Sequence, residues 1–189
     1  MKTGCVLGII LFILILLPAI TSAAPVVHPY MLFHDISEVP GYQYRTIAPW
    51  KTWENGIIAN AERSLSRNFS GTLSSYDRVS YRGDFAQNLG LAYQITKNPA
   101  YAQKAREALL NLNVGADGTT DRALALGSYS LAYDFIQPTL DPATDIQIRD
   151  KLATLANRAY NDLNINGTNL QYVTFADYHG QAYPMLGIA

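Results

Sequence analysis

The segment Leu91–Pro99, with the sequence LAYQITKNP, joins the end of one predicted helix to the beginning of the next. Asn directly before Pro favours a helix start, because the Asn side chain accepts a hydrogen bond from an otherwise unpaired backbone N–H and Pro fits the first helical turn. The pattern recurs forty residues later, where Leu131-Ala132-Tyr133 is followed by Asp141-Pro142. This repeat predicts two helical hairpins of similar size. The alternative is that Leu-Ala-Tyr, a common helix-packing triplet, occurs twice by chance.

Apolar residues at helical spacing extend this pattern on both sides of the segment. Helices are predicted over about 50–66, from a cap at Asp77 to about 96, from 99 until Gly115, over about 119–136, and from 142 until Gly167. No stretch alternates between apolar and polar residues for long enough to predict a strand, so the expected fold is all-α. Antiparallel hairpins of this period build either an α-solenoid or an α/α toroid, because each pair buries its apolar face against the next.

The first residues are typical of a secretory signal peptide. Lys2 precedes an apolar run over residues 5–17, and Pro18 interrupts this run ahead of small residues. We therefore predict a signal peptide over residues 1–24 and a protein that is secreted or held in the cell envelope. The alternative is a permanent anchor, although the apolar segment is shorter than the ~20 residues that a membrane span prefers. Membrane contact is expected only through this segment, if it is not cleaved.

The composition excludes several classes of protein. With 14 Lys and Arg against 15 Asp and Glu, the formal charge is −1, which gives no cationic surface for nucleic acid. The single cysteine, Cys5, lies in the signal segment, so disulfides and thiolate sites are excluded from residues 25–189. His28 and His34 are isolated in the sequence, so we expect neither a metal site nor a cofactor.

The last residues indicate an incomplete helix. Residues 184–189 read PMLGIA and contain neither a cap nor a closing polar residue. A helix that begins just before this segment would leave its apolar face without a partner hairpin. We therefore expect the sequence to be a truncated form of a longer chain.

The segment His28–Phe33, HPYMLF, resembles the His-Pro-Arg-Leu-Leu-Phe motif of heparinase II/III-like and alginate-lyase-like proteins. The two Leu-Ala-Tyr triplets and the Asx-Pro helix starts are also similar to that family, so the resemblance runs from about His28 to the end of the chain. It implies that residues 25–189 are a partial α/α toroid from an exported polysaccharide lyase. Such enzymes cleave acidic, uronate-containing polysaccharides by β-elimination.

β-Elimination on a uronate requires a group that neutralises the carboxylate, a base for the C5 proton and an acid for the leaving oxygen. In the family, an Asn-His pair near the start of a toroid helix and a later Tyr supply these roles. His179 matches the His of this pair, and the resemblance implies that it is catalytic. Tyr178 stands where the family has Asn, and a phenol cannot donate two amide hydrogens to a carboxylate. Asp177 opposes an anionic sugar unless it orients His179 or is protonated.

Further residues are candidates for substrate binding. Tyr81 can stack on a sugar ring, and Arg82 can pair with a sugar carboxylate through two hydrogen bonds. Tyr178 and Tyr183 complete the predicted substrate-binding set. For Arg82 the alternative is a surface arrangement with Asp84 on an exposed helix face, and for His179 it is a capping or packing role at a helix start.

The two tryptophans allow two interpretations. Trp50 and Trp53 can form a platform for a sugar ring. Their three-residue spacing places them on the apolar stripe of the first predicted helix, however, and this favours packing of both indoles in the core.

Two functional hypotheses follow from the sequence. The first is an exported polysaccharide-lyase-like protein, whose activity the short form need not retain. The second is a non-catalytic α-hairpin module that binds glycans or proteins. Glycoside hydrolysis on a related toroid needs two carboxylates across a cleft, and no two glutamates are singled out by their spacing. The glutamates considered are Glu38, Glu54, Glu62 and Glu107.

Overall fold

The computed structural model describes residues 27–71, 79–114 and 119–165, and the regular structure in these ranges is entirely helical. This confirms the all-α class over the described residues, where no strand occurs. Within these ranges, three short 3₁₀ helices accompany five α-helices. The α-helices are α1 (Trp50–Leu65), α2 (Val79–Thr96), α3 (Pro99–Leu110), α4 (Thr119–Ile136) and α5 (Pro142–Ile165). The 3₁₀ helices are Ile36–Glu38, Tyr42–Tyr44 and Gln137–Thr139.

Both Asx-Pro helix starts are confirmed by the hydrogen bonds at the first turns. The Asn98 side chain accepts a bond from the Ala100 backbone N–H at 3.0 Å. Asp141 accepts one from the Thr144 backbone N–H at 2.9 Å, and the Thr144 hydroxyl donates to the same carboxylate at 2.6 Å. These bonds from Thr144 hold the pKa of Asp141 below its usual range. The caps therefore fix where α3 and α5 begin, as the sequence predicts.

The end of α3 differs from the predicted one. The helix that begins at Pro99 ends at Leu110, several residues before Gly115. Asp77, Gly115 and Gly167 lie outside the described residues, and so do the predicted signal peptide over residues 1–24 and the segment from 166 to 189. Within the described part of the chain, no helix combines the length and apolar character needed to cross a membrane.

Helices α2 and α4 pack against each other in parallel. At their beginnings, the Ser80 hydroxyl lies 3.2 Å from an Asp121 carboxylate oxygen. Further along, the Ser128 hydroxyl donates to Asp84 at 2.8 Å. Towards their ends, the Gln94 amide donates to a backbone carbonyl of α4. Because the contacts advance along both helices together, α2 and α4 begin at the same edge of the molecule.

The approach of α2 to α4 is close because glycine occupies two contact positions on α2. A Cβ atom on Gly83 would lie 3.0 Å from Cβ of Ser128, and one on Gly90 would lie 3.2 Å from Cβ of Phe135. The central alanines of the two Leu-Ala-Tyr triplets, Ala92 and Ala132, are completely buried. The repeat therefore corresponds to buried positions on two helices that pack together.

The remaining helices form a second layer against this pair. The Tyr101 hydroxyl of α3 donates to Glu62 of α1. Arg106 of α3 contacts the start of α5, with 2.8 Å to the Thr144 hydroxyl, and Arg158 of α5 donates to the Val114 carbonyl after α3 at 3.0 Å. Since α1, α3 and α5 contact one another in sequence and α2 contacts α4, the five helices form two layers with consecutive helices in alternate layers.

The segment before α1 covers the ends of α2 and α4. Phe33 is buried and stacks on Phe135, with ring centroids 5.4 Å apart and an interplanar angle of 13°. Ile36 is also buried in the same core. This segment is thus part of the hydrophobic core and closes one edge of the two layers.

The prediction that Trp50 and Trp53 pack in the core is wrong, because the two residues are 37% and 55% exposed. The fully buried positions of α1 are Ala61 and Ser64, in its second half. The first turn of α1 lies instead beside the preceding segment, where the Trp50 ring packs against Gly41.

Helix α5 buries only one of its faces. Ile146 and Tyr160 are large apolar residues of this helix, but they are 52% and 60% exposed. The buried stripe passes instead through Thr144, Ile148 and Leu155. Ile146 lies two residues from Ile148, which places it about 200° around the helix from that residue.

We expect leucine at Gly83 or Gly90 to destabilise the protein by about 1–3 kcal/mol, because the added side chain must separate α2 from α4. The matched control is Gly56→Leu in α1, where nothing lies within 4 Å of an added Cβ. There the better helix propensity of leucine should stabilise the fold by about 0.5–1 kcal/mol. Urea unfolding of the three variants measures this, and equal effects at all three glycines would contradict the close packing.

Candidate functional site

The beginning of α2 contains the two predicted substrate-binding residues that the structure describes. Tyr81 is half exposed, so its ring is accessible at the edge where α2 and α4 begin. Arg82 is buried, and its two Nη atoms donate to the carbonyls of Phe69 and Gly71 at 2.8 and 3.0 Å. Arg82 thus ties the segment after α1 to α2. To contact a sugar carboxylate directly, its guanidinium would have to give up hydrogen bonds to these carbonyls.

The alternative prediction, that Arg82 and Asp84 lie together on an exposed helix face, is wrong because of the helix geometry. Residues two apart on a helix point to different sides. Arg82 accordingly points towards Phe69, while Asp84 accepts its bond from Ser128 of α4. The remaining predicted site residues, His179, Tyr178 and Tyr183, lie outside the described residues, and their roles stay predictions.

A buried carboxylate at the opposite edge holds the segment before α1. Asp134 is completely buried, and one of its oxygens lies 2.6 Å from Nδ1 of His28. The backbone N–H groups of Tyr30 and Met31 donate to the same carboxylate at 3.1 and 3.0 Å. Three donors on one buried carboxylate satisfy the requirement that a buried charge be paired and hydrogen-bonded. Asp134 therefore fixes residues 28–31 onto α4.

The position of Asp134 in the forty-residue repeat is a sequence signal for this buried carboxylate. Asp134 and Gln94 occupy equivalent positions in the forty-residue repeat, directly after the two Leu-Ala-Tyr triplets. Both are buried polar residues. A polar residue in a helical stripe that is otherwise apolar indicates a partner elsewhere in the fold, because burial without one is costly.

A second polar group extends the cluster to α5. The Tyr133 hydroxyl donates to Asp145 at 2.7 Å, and Nε of Arg149 lies 3.1 Å from the other oxygen of that carboxylate. Burial, followed by the hydrogen bond to the Asp145 carboxylate, raises the pKa of Tyr133 well above its usual range. Tyr133 therefore stays protonated and acts as a donor that joins α4 to α5.

The imidazole of His28 borders a cavity of about 270 Å³ between α4 and α5. Nδ1 of His28 lies against Asp134, so Nε2 is the ring nitrogen outside this contact. The same carboxylate also holds two backbone N–H groups, so its role is to anchor the chain. Asp134 lies thirteen residues after Asp121, about 20 Å along α4. The cluster is thus well separated from Tyr81.

An exposed aromatic surface lies on the same side as this anchor. Trp50 and Trp53 meet edge to face, with ring centroids 4.9 Å apart. The Arg45 guanidinium lies 4.3 Å from the ring centre of Tyr42. Together with Glu54, these residues border an open cavity of about 600 Å³ that we call the aromatic groove. Its floor comes from the segment before α1 and from α2, and includes Phe33, Ile36, Leu91 and Ile95.

The His, Cys, Asp and Glu side chains of the described ranges form no group of three or more that could hold a metal ion. His34 is exposed, and its Nδ1 lies 3.8 Å from Glu38. No protein-family model matches the chain, and comparison with curated proteins finds no relative.

We expect Asp134→Ala to cost about 3 kcal/mol, because the change leaves the backbone N–H groups of Tyr30 and Met31 buried without an acceptor. The exposed Asp150→Ala, on α5, is the control and should have little effect. Urea unfolding gives the stability, and limited proteolysis reports whether residues 28–31 are released. Equal stability of the two variants, with no new cleavage before α1, would contradict the anchoring role.

Proposed function

We propose that this chain is an exported polysaccharide-lyase-like protein that acts on uronate-containing polysaccharide by β-elimination, and that its helices form part of an α/α toroid. The observation that carries the proposal is the forty-residue relation between α2 and α4, two parallel helices of one layer. A toroid needs each hairpin to contribute one helix, in the same direction, to its inner layer. The described hairpins follow this rule.

The edge where α2 and α4 begin has properties that suit an acidic sugar. Helix N-termini carry partial positive charge and unpaired backbone N–H groups, which favour anions. Tyr81 presents a half-exposed ring at this edge, and a tyrosine offers both an apolar face and a hydroxyl to a sugar. The edge thus combines favourable electrostatics for a carboxylate with a surface for a pyranose ring.

In the proposed lyase, His179, which lies outside the described residues, supplies the base that the reaction requires. Its imidazole takes the C5 proton of the uronate, and the enolate-like charge that develops on the carboxylate must be stabilised. The C4–O bond then breaks as the C4–C5 double bond forms, and the leaving oxygen takes a proton from the imidazolium or from water. Because Tyr178 stands where the family has Asn, the proposal assigns part of this stabilisation to the helix N-termini. Tyr183 stays a candidate for contact with the sugar.

A non-catalytic module that binds glycans or proteins is the second candidate function. The observation that favours it is the aromatic groove, because Trp53 and Trp50 expose large apolar surfaces that the rest of the described fold does not cover. Exposed aromatic residues of this size are typical of binding surfaces. This candidate requires affinity for a ligand without turnover.

We expect the purified protein to release unsaturated uronate products from at least one polyuronate, detected by their ultraviolet absorbance. His179→Ala should reduce the rate by at least about a hundredfold, since a general base contributes about 10²–10⁴ to the rate. Tyr81→Phe should retain most of the activity if the ring stacks on the sugar, while Tyr81→Ala should raise KM.

The control for the histidine is His34→Ala, because His34 is exposed and lies in the segment before α1. Activity that is lost in both histidine variants would reflect instability and would contradict a specific role for His179. Binding of polyuronate with no product from any polymer would contradict the lyase and favour the binding module.

A further inference from the structure

The aromatic groove lies away from the edge to which the proposed lyase activity belongs. Two residues of its floor, Leu91 and Ile95, come ten and fourteen residues after Tyr81 in α2. This separation corresponds to about 15–20 Å along the helix. The groove is therefore a separate surface, and its properties do not depend on His179.

We propose that the aromatic groove is a binding site for a neutral hexose chain. The first argument is the exposure of its tryptophans: Trp53 is 55% exposed and Trp50 is 37% exposed, and their rings meet edge to face at the rim. The faces of aromatic rings carry partial negative charge, and they attract the polarised C–H groups on the apolar face of a pyranose. Tyr42 adds a third aromatic ring to the lining.

The polar groups of the groove match the hydroxyl groups of a sugar. Glu38 and Glu54 can accept hydrogen bonds from hydroxyls, Arg45 can donate them, and the Gln87 amide can do both. A ligand site of this kind, mostly apolar with a few polar groups that fix orientation, is the common form for small organic ligands. The cavity of about 600 Å³ also lies within the usual size range for such sites, about 300–1,000 Å³.

The charge of the lining selects a neutral chain over an acidic one. Two carboxylates, Glu38 and Glu54, face a single guanidinium from Arg45, so the lining carries a net charge of −1. Moreover, Arg45 stacks on Tyr42, which directs its positive charge partly into the aromatic ring. A polyuronate would meet net repulsion here, whereas a neutral hexose chain would not. The groove thus goes beyond the proposed lyase activity and gives the protein a second class of glycan ligand.

The test uses the fluorescence of the protein itself. The sequence contains only two tryptophans, Trp50 and Trp53, so the whole tryptophan emission comes from the rim of the groove. The purified protein is titrated with neutral hexaoses of β-1,4-linked glucose or mannose, and with an oligogalacturonate of the same length. We expect at least one neutral hexaose to change the emission saturably, and we expect no saturable change with the oligogalacturonate.

Variants identify the surface responsible. Trp53→Ala should weaken the binding of the neutral hexaose by at least about tenfold, measured by calorimetry. The control Tyr160→Ala removes an aromatic ring of similar exposure from α5, and it should leave the affinity unchanged. Circular dichroism verifies that both variants retain the helical content of the unmodified protein.

Several outcomes would overturn the proposal. An emission that does not respond to any neutral hexaose would exclude the groove as a hexose site and favour an apolar peptide as its ligand. A response to oligogalacturonate alone would contradict the argument from charge. An equal loss of affinity in the Trp53 and Tyr160 variants would place the binding elsewhere.

A groove that binds neutral hexaose in a protein without lyase activity would refute the proposed function and leave this inference intact.

Discussion

The close approach of α2 to α4 is the contact on which the rest of the described structure depends. Gly83 and Gly90 contribute no side chain to the contact, and Ser128 and Phe135 of α4 occupy the space that a side chain on α2 would need. Because the two helices run parallel, each must be followed by a helix that returns in the second layer. The positions of α3 and α5 follow from this pairing. It also explains why α2 and α4 begin at the same edge.

The opposite edge is closed by the segment before α1. Its Phe33 ring stacks on Phe135, the same residue that meets Gly90 on α2. Asp134, the residue before Phe135, holds the backbone of Tyr30 and Met31. The end of α4 thus receives α2 on one side and the segment before α1 on another. This arrangement leaves the first turn of α1, with its two tryptophans, exposed beside the groove.

Local features of the fold could be predicted from the sequence because their causes are local. Asn98 and Asp141 cap helices through groups two or three residues away, and the structure contains both caps. Periodicity located all five α-helices of the described ranges, because apolar spacing reflects the pitch of a single helix. The limits of α4 are the predicted ones, residues 119 and 136.

Features that depend on distant residues could not be predicted in the same way. His28 and Asp134 lie 106 residues apart, and no spacing rule relates them. An apolar stripe shows which face of a helix could be buried, but not whether another element covers it, and this explains the exposure of Trp53. The direction of Arg82 depends on the carbonyls of Phe69 and Gly71, which lie in an irregular segment. The candidate edge was therefore predictable only in part, through the ring of Tyr81.

The parallel pairing of α2 and α4 can be measured directly with engineered disulfides. Because Cys5 is the only natural cysteine, Cys5→Ser gives a background without thiols. Ser80→Cys combined with Asp121→Cys, whose side chains are in contact in the structure, should form an intramolecular disulfide on mild oxidation. Ser80→Cys combined with Gln137→Cys, at the far end of α4, should not form one. A disulfide in the second pair and none in the first would contradict the parallel arrangement and the shared edge that the proposed function requires.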